Sequence, residues 1–432
     1  MLPKKNIFAK NTFSIAAGTI IAQIITFGTI SLIAKLYTVS DFGMYSILIA
    51  YATIGSTFLS WRSELAIVLE KARTERDYLK AISFILSVAT GIVALCLYLI
   101  ISKLYTNTIV LKIDQIGIGI VLSYMLLLCW ANILKHIALA HNFYNLIAIT
   151  PVIQAIAFLV SCIYLPALLG NQALAYSAVA ACFTSVIVYA VRLKSYNKFL
   201  VPNITEFKKL IRKYRDVSLF GTPTVIIDTI VFNYPILWLA TKFDALEVGL
   251  YAMVVRVAYA PFSVFSASIS QIHFKTYSDR INQGQNLIHY LLRIFAFTLI
   301  IGMLPTLIFK FYGQELFVML FGQEWAKSGQ ILETLAVAIL IKFIASTLSP
   351  VFEASNRMSA LFSFKVITSL ILIFFFAWHA SEKDMFVLIE KLANLEIIIS
   401  VLFLVLIFIT VKMPKSRTLD SYAQSKISND VN

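Results

Sequence analysis

Residues 41–46 read DFGMYS, and residues 247–252 read EVGLYA. At an offset of 206 residues, the two segments align an acid, an apolar residue, glycine, an apolar residue, tyrosine and a small residue in the same order. Each segment opens a long apolar stretch, the second and the eighth along the chain. Because six stretches separate the copies, the repeat predicts two halves of parallel topology, related by an axis along the membrane normal.

The composition of the chain decides its class. Of its 432 residues, 59% are hydrophobic and 13% are charged, and the mean hydropathy is +0.84. A soluble protein carries about 25% charged residues, so a soluble enzyme, a disordered protein and a secreted disulfide scaffold are excluded. The four cysteines lie inside apolar runs without metal-ligand spacing, which indicates buried side chains rather than disulfides or a metal site.

Twelve apolar stretches are long enough to cross about 30 Å of hydrocarbon. They predict an all-α polytopic membrane protein, with twelve transmembrane helices in two six-helix halves around a central cleft. The predicted spans are 11–35, 42–69, 80–101, 116–138, 146–166, 172–193, 216–240, 247–272, 287–309, 329–349, 359–379 and 386–411.

The repeat also predicts the domain boundaries. The N-terminal half covers residues 1–193, the C-terminal half covers 216–411, and a cytoplasmic tail follows at 412–432. The linker at 194–215 contains a basic amphipathic segment. Its pattern predicts a cytoplasmic helix that lies on anionic membrane lipid rather than one that binds nucleic acid.

Lysine and arginine fall mainly on one side of the predicted spans. The N-terminus, the C-terminal tail and the loops after even-numbered spans hold 24 of the 36, whereas the opposite loops hold seven. Since cytoplasmic loops are enriched in positive charge, both termini are predicted to be cytoplasmic.

Three motifs resemble those of Wzx-type polysaccharide flippases, a family of the multidrug/oligosaccharidyl-lipid/polysaccharide (MOP) exporter superfamily. The first combines the turn at 37–46 with RSELAIVL at 62–69, the second is the segment 251–261, and the third is LFGQEW at 320–325. The family often has an aromatic residue where this chain has Ser63. With the number of spans and the position of the termini, the resemblance covers nearly the whole chain.

The resemblance implies a MATE-like MOP fold and a flippase of the bacterial inner membrane, not an enzyme. The implied substrate is an undecaprenyl-pyrophosphate-linked oligosaccharide, an O-antigen, capsule or similar repeat unit, which crosses the membrane by alternating access. A polysaccharide polymerase and a chain-length regulator are the implied partners. No cofactor is expected, and transport is expected to use either a proton or a sodium gradient.

Ionisable residues within the predicted spans are the candidate functional residues, because a charge in the bilayer must face a cavity or a partner. Three of them form the predicted cationic cleft for pyrophosphate: Arg256, Arg62 and Lys342. By helical rise, Arg256 lies roughly 13 Å inward from Glu247, and Arg62 lies about 31 Å inward from Asp41. The alternatives are a helix–helix salt bridge for Arg256 and snorkelling to the membrane surface for Arg62 and Lys342.

Three carboxylates are candidates for ion coupling or for pairing with these cations: Asp228, Glu396 and Glu64. Asp228 and Glu396 lie at mid-depth of their spans. Glu64 follows Arg62 by two residues, which places the two side chains on different faces of a helix. Glu64 is therefore expected to have a separate partner. No residue is predicted to be catalytic or to bind a metal.

Two other functions fit parts of the pattern. A drug or cation antiporter of the same superfamily would have an acidic cavity, whereas the candidates include Arg62, Arg256 and Lys342. A membrane-bound polysaccharide polymerase or ligase would need an extended outer loop. The longest predicted outer connection, 310–328, is too short to form a domain.

The charge asymmetry predicts that Lys198 and Lys415 face the cytoplasm, and that Asn171 and Lys383 face outward. Single cysteines at these positions, in a variant without native cysteines, would be treated with an impermeant maleimide. We expect the Asn171 and Lys383 positions to react in intact cells, and the other two only after lysis. Labelling of the Lys198 position before lysis contradicts the orientation.

Overall fold

The computed structural model describes residues 4–104, 116–196, 199–216, 222–283, 285–355 and 357–412. Lys198 and the predicted tail after Lys412, including Lys415, lie outside these residues. All regular structure in the described residues is helical. The α-helices are α1 (Lys4–Leu36), α2 (Val39–Ser60), α3 (Ser63–Leu69), α4 (Arg73–Leu104), α5 (Ile118–Ala140), α6 (Tyr144–Tyr164), α7 (Pro166–Leu169), α8 (Ala173–Arg192), α9 (Ile204–Asp216), α10 (Thr222–Lys242), α11 (Ala245–Val254), α12 (Ala260–Asn282), α13 (Ile288–Phe321), α14 (Ala326–Leu348), α15 (Val351–Ala354), α16 (Met358–Trp378) and α17 (Met385–Lys412).

Within the described residues, twelve helical segments are long and apolar enough to cross a membrane, which confirms the predicted number. The predicted second span, 42–69, is interrupted: α2 ends at Ser60, and Trp61 and Arg62 have positive φ angles of 46° and 55° before α3 begins. Hydropathy did not reveal this break, because apolar residues continue on both sides of it.

The predicted outer connection at 310–328 is also different in the structure. Helix α13 continues to Phe321, with one non-helical residue at Tyr312, and α14 begins at Ala326. Hydropathy ended the ninth span near Lys310, close to the kink at Tyr312, but apolar residues resume at 316–321 and the helical turns continue through them.

The chain is divided into two compact units. The first comprises Met1–Val257, Gln314–Ile331 and Ile371–Met385, and the second comprises Ala258–Gly313, Leu332–Leu370 and Phe386–Asn432. The boundary near residue 257 falls within a π-helical turn, Val255–Tyr259, that joins α11 to α12. The halves predicted from the repeat have their boundaries at 193 and 216. These boundaries come from sequence symmetry and differ from the division into compact units, so the predicted halves stay a prediction.

In the first unit, the two copies of the repeated motif pack directly against each other. A Cβ atom added to Gly43 would overlap the carbonyl oxygen of Ala245, and one added to Gly249 would overlap that of Val39. The two glycines therefore allow the main chains of α2 and α11 to touch, as small residues do where membrane helices cross closely.

The same two helices begin with matching capping boxes. The Thr38 hydroxyl accepts a hydrogen bond from the N–H of Asp41, and the Asp41 carboxylate accepts one from the N–H of Thr38. Asp244 and Glu247 form the same reciprocal pair at the start of α11. The acid of each repeat copy thus satisfies free N–H groups and fixes where its helix begins.

The third motif of the resemblance packs on this crossing. Trp325 is buried, and its ring meets that of Phe42 edge-on, with 5.5 Å between centroids. Its indole N–H donates to the carbonyl of Ala34 at 3.2 Å, and the Ser328 hydroxyl donates to the carbonyl of Leu250 at 3.0 Å. The first and third motifs therefore have a structural role in holding this unit together.

The second unit has its own apolar core. Phe343 and Phe352 are among its buried residues, and Phe262 packs edge-on against Phe343. A hydrogen bond of 2.7 Å between the Ser266 and Ser346 hydroxyls joins α12 to α14. These contacts fix the helix that carries the candidate residue Lys342.

Replacing Gly43 or Gly249 with alanine is expected to destabilise the protein by about 1–3 kcal/mol or more, because the added methyl group overlaps main-chain oxygen. Gly28→Ala is the matched control, since nothing lies within 4 Å of a Cβ at Gly28. There, alanine should be neutral or stabilising by about 0.5–1 kcal/mol. Thermal unfolding of the purified variants in detergent measures the difference, and equal melting temperatures for all three variants would contradict the crossing.

Candidate functional site

The break after α2 determines where Arg62 and Glu64 lie. Two consecutive left-handed residues with side chains cost on the order of 1–3 kcal/mol each, and such strain is typical of functional sites. The turn places both side chains in the wall of one cavity. The prediction that they face different ways is therefore wrong, because it assumed a helix that continues through residue 62.

The cavity lies within the first unit and has a volume of about 420 Å³. It is formed near the C-terminal ends of α2, α5 and α8 and the N-terminal ends of α6 and α10, so its walls come from one end of the helix bundle. Most of its lining residues are polar or charged, and the uncharged polar ones are Thr53, Ser56, Thr57, Ser60, Asn132, Thr150, Gln154, Ser185 and Tyr189.

Three charged residues line this cavity: Arg62, Lys135 and Glu64. Glu64 is 2% exposed, and its Oε1 accepts a hydrogen bond from the Asn132 amide at 3.1 Å. Neither Glu64 Oε2 nor Arg62 Nε, both buried, has a hydrogen-bond partner within the described part of the chain. A buried polar atom without a partner costs about 1–3 kcal/mol, and more if charged. These unsatisfied atoms lower the stability of the protein, and a ligand with polar groups would supply the missing hydrogen bonds.

Lys135 is a residue that sequence reasoning missed. It lies near the end of the predicted span 116–138, where a lysine usually reaches the membrane surface, but α5 continues to Ala140. The signal that could have found it is helical spacing, since Asn132 and Lys135 are three residues apart and lie on one face.

Arg256 lies in the π-helical turn Val255–Tyr259, a type of distortion that is frequent at functional sites. Its guanidinium lies 4.7 Å from the ring centroid of Tyr45 and 5.8 Å from that of Phe42. No carboxylate of the described residues forms an ion pair with it. Among these residues, cation–π contacts with the two rings replace the helix–helix salt bridge that was the alternative prediction for Arg256.

In the second unit, the structure brings together Lys342 and Glu396. Lys342 Nζ lies 3.0 Å from Glu396 Oε1, and the Tyr259 hydroxyl donates to Oε2. The Lys342 ammonium also lies 4.9 Å from the Tyr259 ring centroid. The charge of Lys342 is therefore balanced within its own unit, and its predicted role in binding phosphate would require that this pair opens.

Asp228 is exposed on α10 and is not part of the polar cavity. In the described part of the chain, the structure brings two pairs of the six predicted site residues together: Arg62 and Glu64 line one cavity, and Lys342 and Glu396 form an ion pair.

The predicted linker contains the helix α9, whose basic side chains reach the segment before and at the start of α4. Lys213 lies 2.6 Å from Glu70 and 2.7 Å from Glu75, and the Tyr214 hydroxyl donates to Glu70 at 2.8 Å. Burial alone would raise the pKa of Glu70, but the hydrogen bonds from Lys213, the Ala72 N–H and Tyr214 outweigh it and lower the pKa to about 2. The stabilisation from Glu70 is thus present at neutral pH and is lost only as the pH falls towards about 2.

Comparison with known proteins identifies the family and the fold. A family model described as "Polysaccharide biosynthesis protein" matches residues 32–330. A structure of the lipid II flippase MurJ in an inward closed conformation is similar with a TM-score of 0.74 at 16% identity, covering 92% of this chain and 87% of that one. An inward-facing multidrug resistance MATE transporter of the MOP superfamily gives 0.60 at 14% identity, covering 91% and 94%.

A third similar structure is a MOP superfamily transporter from Pyrococcus furiosus, described as having a binding pocket of reverse polarity. It gives a TM-score of 0.51 at 12% identity, covering 93% of this chain and 95% of that one. No curated protein matches the sequence. The structural matches confirm the predicted MATE-like MOP fold, which the MurJ structure shares.

Removing one member of the Lys342–Glu396 pair should leave the other charge without its partner. We expect Lys342→Met and Glu396→Gln each to destabilise the protein by about 1–3 kcal/mol, less than a fully buried pair because Lys342 is 44% exposed. The double variant should lose less than the sum of the two. Thermal unfolding of all four proteins measures the coupling, and strictly additive losses would argue against an energetic pair.

Proposed function

We propose that this chain, which belongs to the polysaccharide biosynthesis protein family, is a flippase that moves a lipid-linked oligosaccharide across the membrane by alternating access. The family and the MurJ- and MATE-like fold support a transporter rather than an enzyme. The observation that carries the proposal is the polar cavity among the membrane-spanning helices, in which Arg62 and Lys135 face a single carboxylate, Glu64.

The proposed substrate is an undecaprenyl-pyrophosphate-linked repeat unit of an O-antigen, a capsule or a similar polysaccharide. We place the protein in the bacterial cytoplasmic membrane with both termini in the cytoplasm, working with a polysaccharide polymerase and a chain-length regulator. Arg62 and Arg256 would bind the pyrophosphate, since a guanidinium donates paired hydrogen bonds to phosphate and keeps its charge. With this orientation, the cavity lies at the cytoplasmic end of the helices, where such a substrate is made available.

Coupling to a proton or sodium gradient is part of the proposal. Glu64 is the carboxylate best placed to take part, because it is buried in the cavity wall and one of its oxygens has no partner in the described structure. Asp228 is exposed, and Glu396 is already paired with Lys342.

A drug or cation antiporter of the same superfamily is the second candidate, because MATE transporters share the fold. The charge of the cavity argues against it. Two cations and one carboxylate repel an organic cation and attract an anion, whereas transport of cationic drugs needs the opposite balance.

Arg256→Ala is expected to abolish transport while the protein still inserts into the membrane. Loss of a charge-assisted contact of about 1.5–3 kcal/mol lowers affinity for the head group by about 10- to 150-fold. Arg256→Lys should rescue only partly, because an ammonium cannot reproduce the planar fork. The assay is flipping of a lipid-linked oligosaccharide in proteoliposomes, read by the accessibility of its sugar to an impermeant enzyme.

Arg280→Ala provides the matched control. Arg280 also stacks on a tyrosine, with its guanidinium 4.7 Å from the Tyr290 ring centroid, but it lies outside the membrane-spanning segments. If both variants lose transport in step with their abundance in the membrane, Arg256 has a folding role. Normal flipping by a stable Arg256→Ala protein would rule out phosphate binding by this residue.

A further inference from the structure

The hydrogen bonds in the cavity wall indicate the chemistry of its ligand. Thr53 and Thr57 each donate their hydroxyl proton to a carbonyl four residues earlier in the same helix, at 2.7 and 3.0 Å. A hydroxyl group that donates in this way still has lone pairs to offer. These wall oxygens therefore accept hydrogen bonds from a ligand but do not donate to it.

Glu64 adds a stronger acceptor to the same wall. Its Oε1 is bonded to Asn132, while its buried Oε2 has no partner among the residues that the structure describes. An ionised carboxylate only accepts hydrogen bonds. The ligand group beside Glu64 must therefore carry O–H or N–H donors, which a sugar-linked pyrophosphate, ionised on both phosphates, does not supply at neutral pH.

The net positive charge of the cavity excludes cations as the hydrogen-bond donors beside Glu64. Arg62 and Lys135 outnumber Glu64, so a metal ion or an organic amine meets net repulsion. The same two cations favour an anionic group, and Arg62 Nε is a buried donor without a partner in the described structure. The ligand must therefore combine several hydroxyl donors with one negative group.

We infer that the cavity is a saccharide subsite, which binds a sugar ring through hydroxyl donors to Glu64 and the threonine oxygens, while Arg62 and Lys135 hold an anionic group beside that ring. The inference rests on the proposed function, because the sugar is the head group of the transported lipid. A volume of about 420 Å³ falls within the range of about 300–1,000 Å³ that is typical of small-molecule sites. The anionic group is either the pyrophosphate or the carboxylate of an acidic sugar.

The test is equilibrium binding to the purified full-length protein in detergent, with two lipid probes. One is a polyprenyl pyrophosphate without sugar, and the other is the same lipid with N-acetylglucosamine attached. The wild-type protein should bind the glycosylated lipid more tightly. Glu64→Gln should lower the preference for the glycosylated lipid over the sugar-free lipid by about 10-fold or more, because the loss of the carboxylate charge acts on both pyrophosphates alike and only the sugar loses an acceptor. Glu390→Gln, an exposed substitution outside the cavity, is the control.

A second variant keeps the test decisive if Glu64→Gln does not fold. Thr57→Val preserves the shape of the side chain and removes one acceptor from the cavity wall. Thr368→Val is its matched control, because Thr368 also donates to the carbonyl four residues earlier but is not part of the cavity. Thr57→Val should weaken binding of the glycosylated lipid alone, and Thr368→Val should not. Thermal unfolding reports whether each variant is folded.

The outcomes separate the inference from the proposed function. If Glu64→Gln and Thr57→Val leave the preference for the glycosylated lipid over the sugar-free lipid unchanged, the saccharide subsite is overturned while the proposed flippase still stands. If the wild-type protein binds neither lipid, the proposed function fails and the inference fails with it. A lipid-free disaccharide that contains glucuronic acid identifies the anionic group. Competition with the glycosylated lipid supports a sugar carboxylate, and a lack of competition supports the pyrophosphate.

Discussion

The contact between the main chains of α2 and α11 is the constraint on which the first unit depends. Gly43 and Gly249 each lie against a carbonyl oxygen of the other helix, so a sliding of one helix by a residue would replace a glycine with a side chain that cannot fit. With this register fixed, the rings of Phe42 and Tyr45, which flank Gly43, lie where the Arg256 guanidinium contacts them. A six-residue motif that occurs twice therefore positions one of the candidate site residues.

The left-handed turn at Trp61 and Arg62 is a second constraint. It determines where two charged side chains lie rather than how helices pack. A continuous helix would direct Arg62 and Glu64 to different faces, and each would need its own partner in the membrane. Because of the turn, both side chains line one cavity, and the backbone at Trp61 and Arg62 is strained. Strain of this kind persists only where the surroundings determine it, and here the strained residues carry the charges of a candidate binding site.

Patterns that are local in the sequence were predicted well, and features that depend on tertiary contacts were not. Hydropathy determines the number of spans, because each must cover the hydrocarbon by itself. The break after α2 contains neither glycine nor proline, so the hydropathy pattern predicted one continuous span. The pairing of Lys342 with Glu396 joins residues 54 positions apart, and each was identified as a charge within a span without any means of finding its partner. Lys135 was missed because a lysine near a span end is usually at the surface.

The candidate charged residues in the described part of the chain are accommodated in three different ways, which leave different hydrogen-bonding capacity for a ligand. Lys342 and Glu396 neutralise each other, and the Tyr259 hydroxyl occupies the remaining carboxylate oxygen. Arg256 rests on aromatic faces, which offset its charge but accept no in-plane hydrogen bonds, so its planar edge stays suited to an anion. Arg62 and Glu64 each have one buried atom whose hydrogen bonding no described residue satisfies. Since an unsatisfied charged atom lowers stability, its presence in a cavity lined by polar residues is explained best by a ligand that completes its hydrogen bonds.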